Sequence, residues 1–184
     1  ITSRQDTHQI EINNLKITSY QFNNDKSDKS IIKKLEEANY ILISIPPIDG
    51  KDIVANYIDT NLKKITNCKW ITYLSATSVY GDHKGEWVNE KSATKPTSPN
   101  GLSRLKAENI WKNLSLKNNY PLQIFRLAGI YSNEFNILKR LQTGRAQLVD
   151  KKNHFFSRIH VEDIANILFS SLDNFKNNEI YNIC

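Results

Sequence analysis

The order of apolar and polar positions divides the chain into short β-branched runs and longer stretches with helical spacing. Residues 16–22 (KITSYQF) alternate like a strand with one covered face. Residues 28–38 place Ile31, Ile32 and Leu35 at helical spacing, with Ser27 or Asp28 as the N-cap. Residues 40–45 (YILISI) are continuously apolar, the pattern of a strand buried on both faces of a parallel sheet. Pro46 and Pro47 end that run, because proline cannot continue a hydrogen-bonded ladder. Further along, residues 53–65 read as a helix, 69–75 (KWITYLS) as a second buried strand, 98–116 as a long helix and 122–127 as a strand. Residues 133–141 and 161–172 read as helices and 179–183 as a last strand.

Strand and helix alternating at this rhythm specify an α/β fold, a doubly wound parallel sheet with helices on both faces and right-handed crossovers. Such sheets bind ligands beyond the carboxyl ends of their strands. The segments that follow those ends here are Ser44-Ile45-Pro46-Pro47, Ser75-Ala76-Thr77-Ser78 and Arg126-Leu127-Ala128-Gly129.

Composition narrows the picture further. With 184 residues, 39% hydrophobic and 24% charged, the chain is expected to form a single domain over 1–184, neither disordered nor membrane-embedded. No apolar run approaches the roughly 20 residues that cross a bilayer, and the opening stretch Ile1-Thr2-Ser3-Arg4-Gln5-Asp6 does not resemble a signal peptide. Two cysteines, Cys68 and Cys184, form no disulfide framework and no metal-ligand spacing, so a cytoplasmic protein without a bound metal is expected. The net charge of +6 does not indicate nucleic acid, because the lysine pairs at 33–34, 63–64 and 151–152 are scattered among acidic or polar neighbours. Methionine is absent altogether, and the expectation is that the N-terminal segment is missing.

Five segments carry a resemblance when taken together: YLSATSVYG at 73–81, PTSPNGLSRLKAE at 96–108, FRLAGIY at 125–131, FSRIHVEDIA at 156–165 and EIYNIC at 179–184. In this order and spacing the chain resembles the extended short-chain dehydrogenases/reductases, the NAD(P)-dependent epimerase/dehydratase family. The resemblance implies a Rossmann-like domain, with elements of a small substrate lobe around 132–160. Family members open with a strand, a GxGxxG turn and a helix that receive the cofactor pyrophosphate. None of that is in this sequence, and the opening residues resemble the end of the second strand, so a fragment truncated at the N-terminus is expected.

The same resemblance assigns residues. Ser3 and Arg4 fall where the adenosine ribose lies, and an arginine there suits the 2′-phosphate of NADP over the bare hydroxyl of NAD. Ser44, Ile45 and Pro46 fall beside the adenosine and pyrophosphate, and Leu127 and Ile130 beside the nicotinamide. Arg158 and His160 fall in the substrate-facing region, where a guanidinium can pair bidentately with a diphosphate. Arg126 reads as either an acid-binding residue or one half of a strand-end ion pair. Expected partners are a small-molecule substrate, with room for a homodimer, and neither nucleic acid nor a membrane.

Catalysis is where the chain departs from the family pattern. The serine, tyrosine and lysine positions of the proton-transfer machinery fall on Ala76, Asn100 and Arg104. Asn100 exchanges no proton near neutral pH, and Arg104 keeps a charge that can hold a ribose hydroxyl without titrating. Ser75 or Thr77 could replace the missing hydroxyl, with Ser75 also near the cofactor, although strand neighbours point to opposite faces. Tyr80, Asp82, His83 and Glu90 are substitute acid/base candidates in the insertion that follows, which Trp87 is expected to pack down. Two readings remain: an atypical epimerase, dehydratase or carbonyl reductase, and a non-catalytic NADP(H)-binding sensor or scaffold. If Arg4 reads the 2′-phosphate, Arg4→Ala weakens NADPH binding by about tenfold or more and leaves NADH binding nearly unchanged. Fluorescence titration of both cofactors checks this, and an equal loss contradicts it.

Overall fold

The computed structural model describes residues 1–23, 26–62, 65, 67–147 and 155–184. Lys63, Lys64 and residues 148–154, which include two of the lysine pairs and part of the expected substrate lobe, lie outside the described residues. The chain opens with β1 (Thr2–Ser3), β2 (His8–Ile12) and β3 (Leu15–Gln21). β3 pairs in parallel with β1 and antiparallel with β2. The β2–β3 hairpin closes on Asn13 and Asn14, both at positive φ (48° and 64°), where asparagine is better tolerated than most residues. β2 is a strand that the apolar pattern does not predict, because HQIEI offers only two apolar residues and hardly buries them.

Next come α1 (Ser30–Glu37), β4 (Tyr40–Ile43), α2 (Ile53–Asn61), β5 (Trp70–Ala76), a 3₁₀ turn (Thr77–Val79) and α3 (Pro99–Asn118). β6 (Leu122–Leu127), β7 (Gly129–Tyr131), α4 (Ile137–Gln142), β8 (Arg158–His160), α5 (Val161–Asp173) and β9 (Ile180–Ile183) complete the order. β4, β5, β6 and β9 form an all-parallel sheet in that spatial order. β7 and β8 form a small parallel pair of their own. On one face of the main sheet, Ile41, Ile43, Ile71, Tyr73, Leu122 and Ile124 pack with Ala55 and Ile58 of α2 and Trp111 and Leu114 of α3. On the other, Phe125, Leu127 and Ile183 pack with Ile164 of α5. Helices on both faces are what the predicted pattern requires.

Three expectations need correction. β4 is not buried on both faces, since its residues alternate and Tyr40 and Leu42 are 53% and 47% exposed. That side is only partly covered, and Leu42 lines a groove between β4 and β1 with Thr2, Phe22, Ser44, Ile45 and Tyr57. The helix expected over 133–141 is one short helix, α4, capped by Asn136 and with no buried residue, so no packing extends it. α2 ends at Asn61 because Leu62 is already extended.

The core contains a polar row. Ser75, Arg126 and Asn182 are register partners on β5, β6 and β9. Glu108 of α3, with 0% of its surface exposed, receives the Ser75 hydroxyl at 2.6 Å and the Arg126 guanidinium at 3.0 Å through Nε and 2.7 Å through Nη2. Arg126 Nη1 donates to the Tyr80 hydroxyl at 2.8 Å, and that hydroxyl donates to Asn182 Oδ1 at 2.7 Å. Burial disfavours the Arg126 charge, but its bonds to Glu108 and Tyr80 outweigh that and raise its pKa. Breaking such a pair strands a buried charge. Arg126→Met is expected to cost about 3–5 kcal/mol, and adding Glu108→Leu to recover part of that loss. Urea unfolding of the single and double variants checks this, and simple additivity contradicts it.

Candidate functional site

The site forms where the carboxyl ends of β4, β5 and β6 meet the start of α3. After β5 the backbone turns tightly, with Tyr80 N–H on Thr77 O and Gly81 N–H on Ser78 O. Gly81, at φ +74°, brings the chain against Lys95, whose backbone leaves no room for a side chain there. α3 then starts on Ser98, whose hydroxyl accepts the Gly101 N–H, with Pro99 in the first turn. A Cβ at Gly101 would lie 2.5 Å from Ser78 O, so glycine lets the helix start directly on the turn. This contact sets Asn100 and Arg104 beside the end of β5.

The structure separates the two hydroxyl candidates. Ser75 is 3% exposed and points toward α3, where its hydroxyl is held by Glu108. That bond corrects its placement beside a substrate or cofactor. Thr77, half-buried and on the turn, is the hydroxyl that stays at the strand end. Ala76 is half-buried and Asn100 exposed. Arg104 donates from Nη1 to Leu74 O at 2.5 Å, which ties α3 to β5, and its guanidinium lies beside the Tyr73 hydroxyl. Burial pushes the Tyr73 phenol up to about 12 despite the lowering effect of Arg104, so it stays neutral and is no substitute base.

The insertion candidates are also engaged. Tyr80 is buried between Arg126 and Asn182. His83 is half-buried, with Nε2 on Ala93 O at 3.0 Å, so that nitrogen carries the proton. Asp82 accepts the Lys84 N–H at 2.8 Å. Glu90 accepts the Asn182 N–H at 2.7 Å, which lowers its carboxyl pKa and keeps it from acting as an acid near neutral pH. Trp87 does not pack the insertion down. It is 100% exposed, because the loop is anchored by polar contacts and not by its ring.

The residues assigned to the cofactor divide into two groups. Ser3 ends β1 and is half-buried, and Arg4 follows it, exposed. Ser44 and Ile45 line the groove between β1 and β4, about 100 Å³ in volume, and Pro46 follows them. Leu127 is buried at the end of β6, and Ile130 is exposed on β7. The α-helix starts do not suit the cofactor's pyrophosphate: α2 to α5 each have an N-cap side chain on a helix N–H, and at α1, whose N-cap is Lys29 and not the expected Ser27 or Asp28, the preceding Asp28 takes one. Asp28 accepts the Ser30 N–H, Asp52 those of Val54 and Ala55, Ser98 that of Gly101, Asn136 that of Lys139, and His160 that of Glu162. No described helix offers the glycine-rich, unpaired start that receives a pyrophosphate.

On the substrate side, Arg158 of β8 is the register partner of Gly129 on β7. A Cβ at Gly129 would collide with the Arg158 guanidinium, which therefore lies across bare backbone. It also stacks 4.8 Å above the Phe156 ring. Exposed, and without a carboxylate within ion-pair distance among the described residues, Arg158 is a positioned cation. His160 faces the Tyr131 ring at 5.0 Å and accepts the Glu162 N–H through Nδ1, which leaves the proton on Nε2.

The pattern readings named neither Glu108 nor Asn182 as functional. Glu108 stands four residues after Arg104, on the same helix face, and that spacing was its only signal. Among the described residues no helix is long and apolar enough to cross a membrane, and no cluster of three or more His, Cys, Asp or Glu is placed to hold a metal ion.

A protein of unknown function from Silicibacter pomeroyi superimposes with a TM-score of 0.76 at 35% identity, over 90% of this chain and 56% of that one. A UDP-glucuronic acid 4-epimerase variant from Bacillus cereus, in complex with a fluorinated UDP-sugar and NAD, gives 0.70 at 15% identity over 85% and 57%. RMD from Pseudomonas aeruginosa, complexed with NADPH, gives 0.60 at 15% identity over 79% and 60%. The chain thus spans somewhat more than half the length of these solved chains, and at 15% identity the last two show the Rossmann-like α/β fold alone. No curated protein matches. The model of the NAD-dependent epimerase/dehydratase family matches residues 54–184, which include the strand-end turn, α3 and β7–β9, and the chain belongs to that family.

Proposed function

We propose that this protein is an atypical NAD(P)-dependent enzyme of the family, an epimerase, dehydratase or carbonyl reductase, acting in the cytoplasm on a nucleotide-sugar-like or other small carbonyl substrate. The observation that carries this reading is Arg158. Its guanidinium is pre-positioned over Gly129 and against Phe156, exposed and free of a carboxylate partner among the described residues. A flat, fixed cation of this kind suits bidentate pairing with a diphosphate. His160 adds an Nε2–H donor on the same strand.

The cofactor, when bound, would exchange hydride with the substrate carbon. Ser3 and Arg4 would hold its ribose end, with the arginine favouring NADP, and Ser44, Ile45 and Pro46 its adenosine. Leu127 and Ile130 would border the nicotinamide ring, and Arg104, already fixed on Leu74 O, would face the nearby ribose. Thr77 is the hydroxyl placed to polarise a carbonyl. Nothing at Asn100 can exchange a proton near neutral pH, so proton exchange falls to another group, and the candidate is His83 Nδ1, the ring nitrogen that the Ala93 contact does not engage and that can accept a proton.

A second reading has its own support. Ala76 and Asn100 remove both hydroxyls of the usual machinery, and the sequestered Ser75 does not restore either, which suits a protein that binds NADP(H) without turnover. The full-length protein loaded with NADPH distinguishes the two when nicotinamide absorbance is followed against sugar nucleotides and simple carbonyls. The enzyme reading predicts turnover, with Arg158→Ala raising KM for diphosphate-bearing substrates about tenfold or more and sparing simple carbonyls. Tight NADPH binding without turnover on any of them contradicts it and supports the sensor.

A further inference from the structure

The insertion between the strand-end turn and α3 is tied down at two places. Its base is the bridge between Gly81 and Lys95, reinforced by the Lys95 N–H on Tyr80 O at 3.1 Å. At its far end, Glu90 Oε1 accepts the backbone N–H of Asn182 at 2.7 Å. The direction of that N–H follows from the ladder. Ile124 N–H bonds Glu179 O and Ala128 N–H bonds Ile183 O, so the odd-numbered residues of β9 face β6. Successive peptide groups on a strand point to opposite sides, so the Asn182 N–H points away from β6, toward the outer edge of β9. The sheet order is β4-β5-β6-β9, and among the described residues β9 pairs with β6 alone. The insertion therefore runs from the end of β5, past the end of β6, to the far edge of the sheet. There a carboxylate takes the N–H that an adjoining strand would otherwise receive.

We propose that residues 82–94 are a strap across the carboxyl end of the sheet, latched by Glu90 on the outer edge of β9, and that releasing this carboxylate opens the strap while the polar row beneath stays intact. Apolar burial does not hold the strap shut, because Trp87 is 100% exposed and Val88 only half-buried. Much of its bonding is internal, as in Asn89 N–H to the Ser92 hydroxyl and Glu86 N–H to His83 O, and survives opening. The row beneath stands on its own bonds, since Tyr80 reaches Asn182 through the side chain and Glu90 reaches it through the backbone. Asn182 is thus the common post for the core and the strap. A segment of polar contacts over a buried network belongs to the low-stability end of a protein, from which lids are drawn.

Hydrogen exchange and limited trypsin digestion of the full-length protein test this. In Glu90→Ala, exchange at the Asn182 amide and cleavage after Lys84 or Lys91 are expected to accelerate about tenfold or more, the equivalent of one lost charge-assisted hydrogen bond. Amides of Tyr73 and Phe125 in β5 and β6 are expected to stay at the wild-type rate. Glu90→Gln keeps an acceptor of the same shape and is expected to stay within about threefold of wild type. Unchanged exchange at Asn182 in Glu90→Ala overturns the latch. Acceleration of Tyr73 and Phe125 together with Asn182 overturns its independence from the core.

Discussion

The buried pair of Glu108 and Arg126 is the constraint on which the carboxyl end of the sheet depends. One carboxylate gathers a hydroxyl from β5, a guanidinium from β6 and, through that guanidinium, the Tyr80 phenol and the β9 side chain of Asn182. Two ions removed from water are costly, and only bidentate geometry with further bonds offsets that cost. Here those bonds are present. They lock α3, the turn after β5 and the end of β9 into one arrangement, at the level of the sheet where ligands of doubly wound folds bind.

This arrangement changes the chemistry open to the site. Ser75 lies one residue before the usual hydroxyl position, on the face that looks into the core. Glu108 takes its proton donor, so the sequestered hydroxyl contributes order where the family pattern uses a hydroxyl for reaction. The turn beyond carries Thr77, half-buried, beside Arg104, which is fixed by Leu74 O. Two glycines shape the surroundings by absence of side chain. Gly101 admits the helix to the turn, and Gly129 admits Arg158 to the face of β7.

Much of the fold was legible in the sequence because burial imposes periodicity. The β-branched runs became β3, β5 and β6 close to their expected limits, and the long helix became α3. β2 escaped because a hairpin made of polar residues with little burial leaves no apolar signature. Residues 40–45 misled because a run of apolar residues is equally apolar whether or not a neighbour covers its second face. For the candidate site, the sequence offers positions at the strand ends but not the partners those residues take. Arg158 and Arg104 were expected near ligand, but sequence spacing contains neither the collision that clears Gly129 for one nor the carbonyl that anchors the other. Trp87 shows the opposite limit, since ring size predicts packing only when a surface is there to receive it.

The central claim is that Ser75 serves the buried pair and Thr77 the site, and paired hydroxyl deletions test it most directly. Equilibrium unfolding and NADPH titration would be measured on Ser75→Ala and Thr77→Ala in the full-length protein. Ser75→Ala is predicted to lose about 1–3 kcal/mol of stability, the cost of leaving a buried carboxylate oxygen short of a donor, with NADPH affinity within about twofold of wild type. Thr77→Ala is predicted to keep its stability within about 0.5 kcal/mol while ligand binding weakens. A Ser75→Ala protein with unchanged stability and abolished NADPH binding would contradict the account.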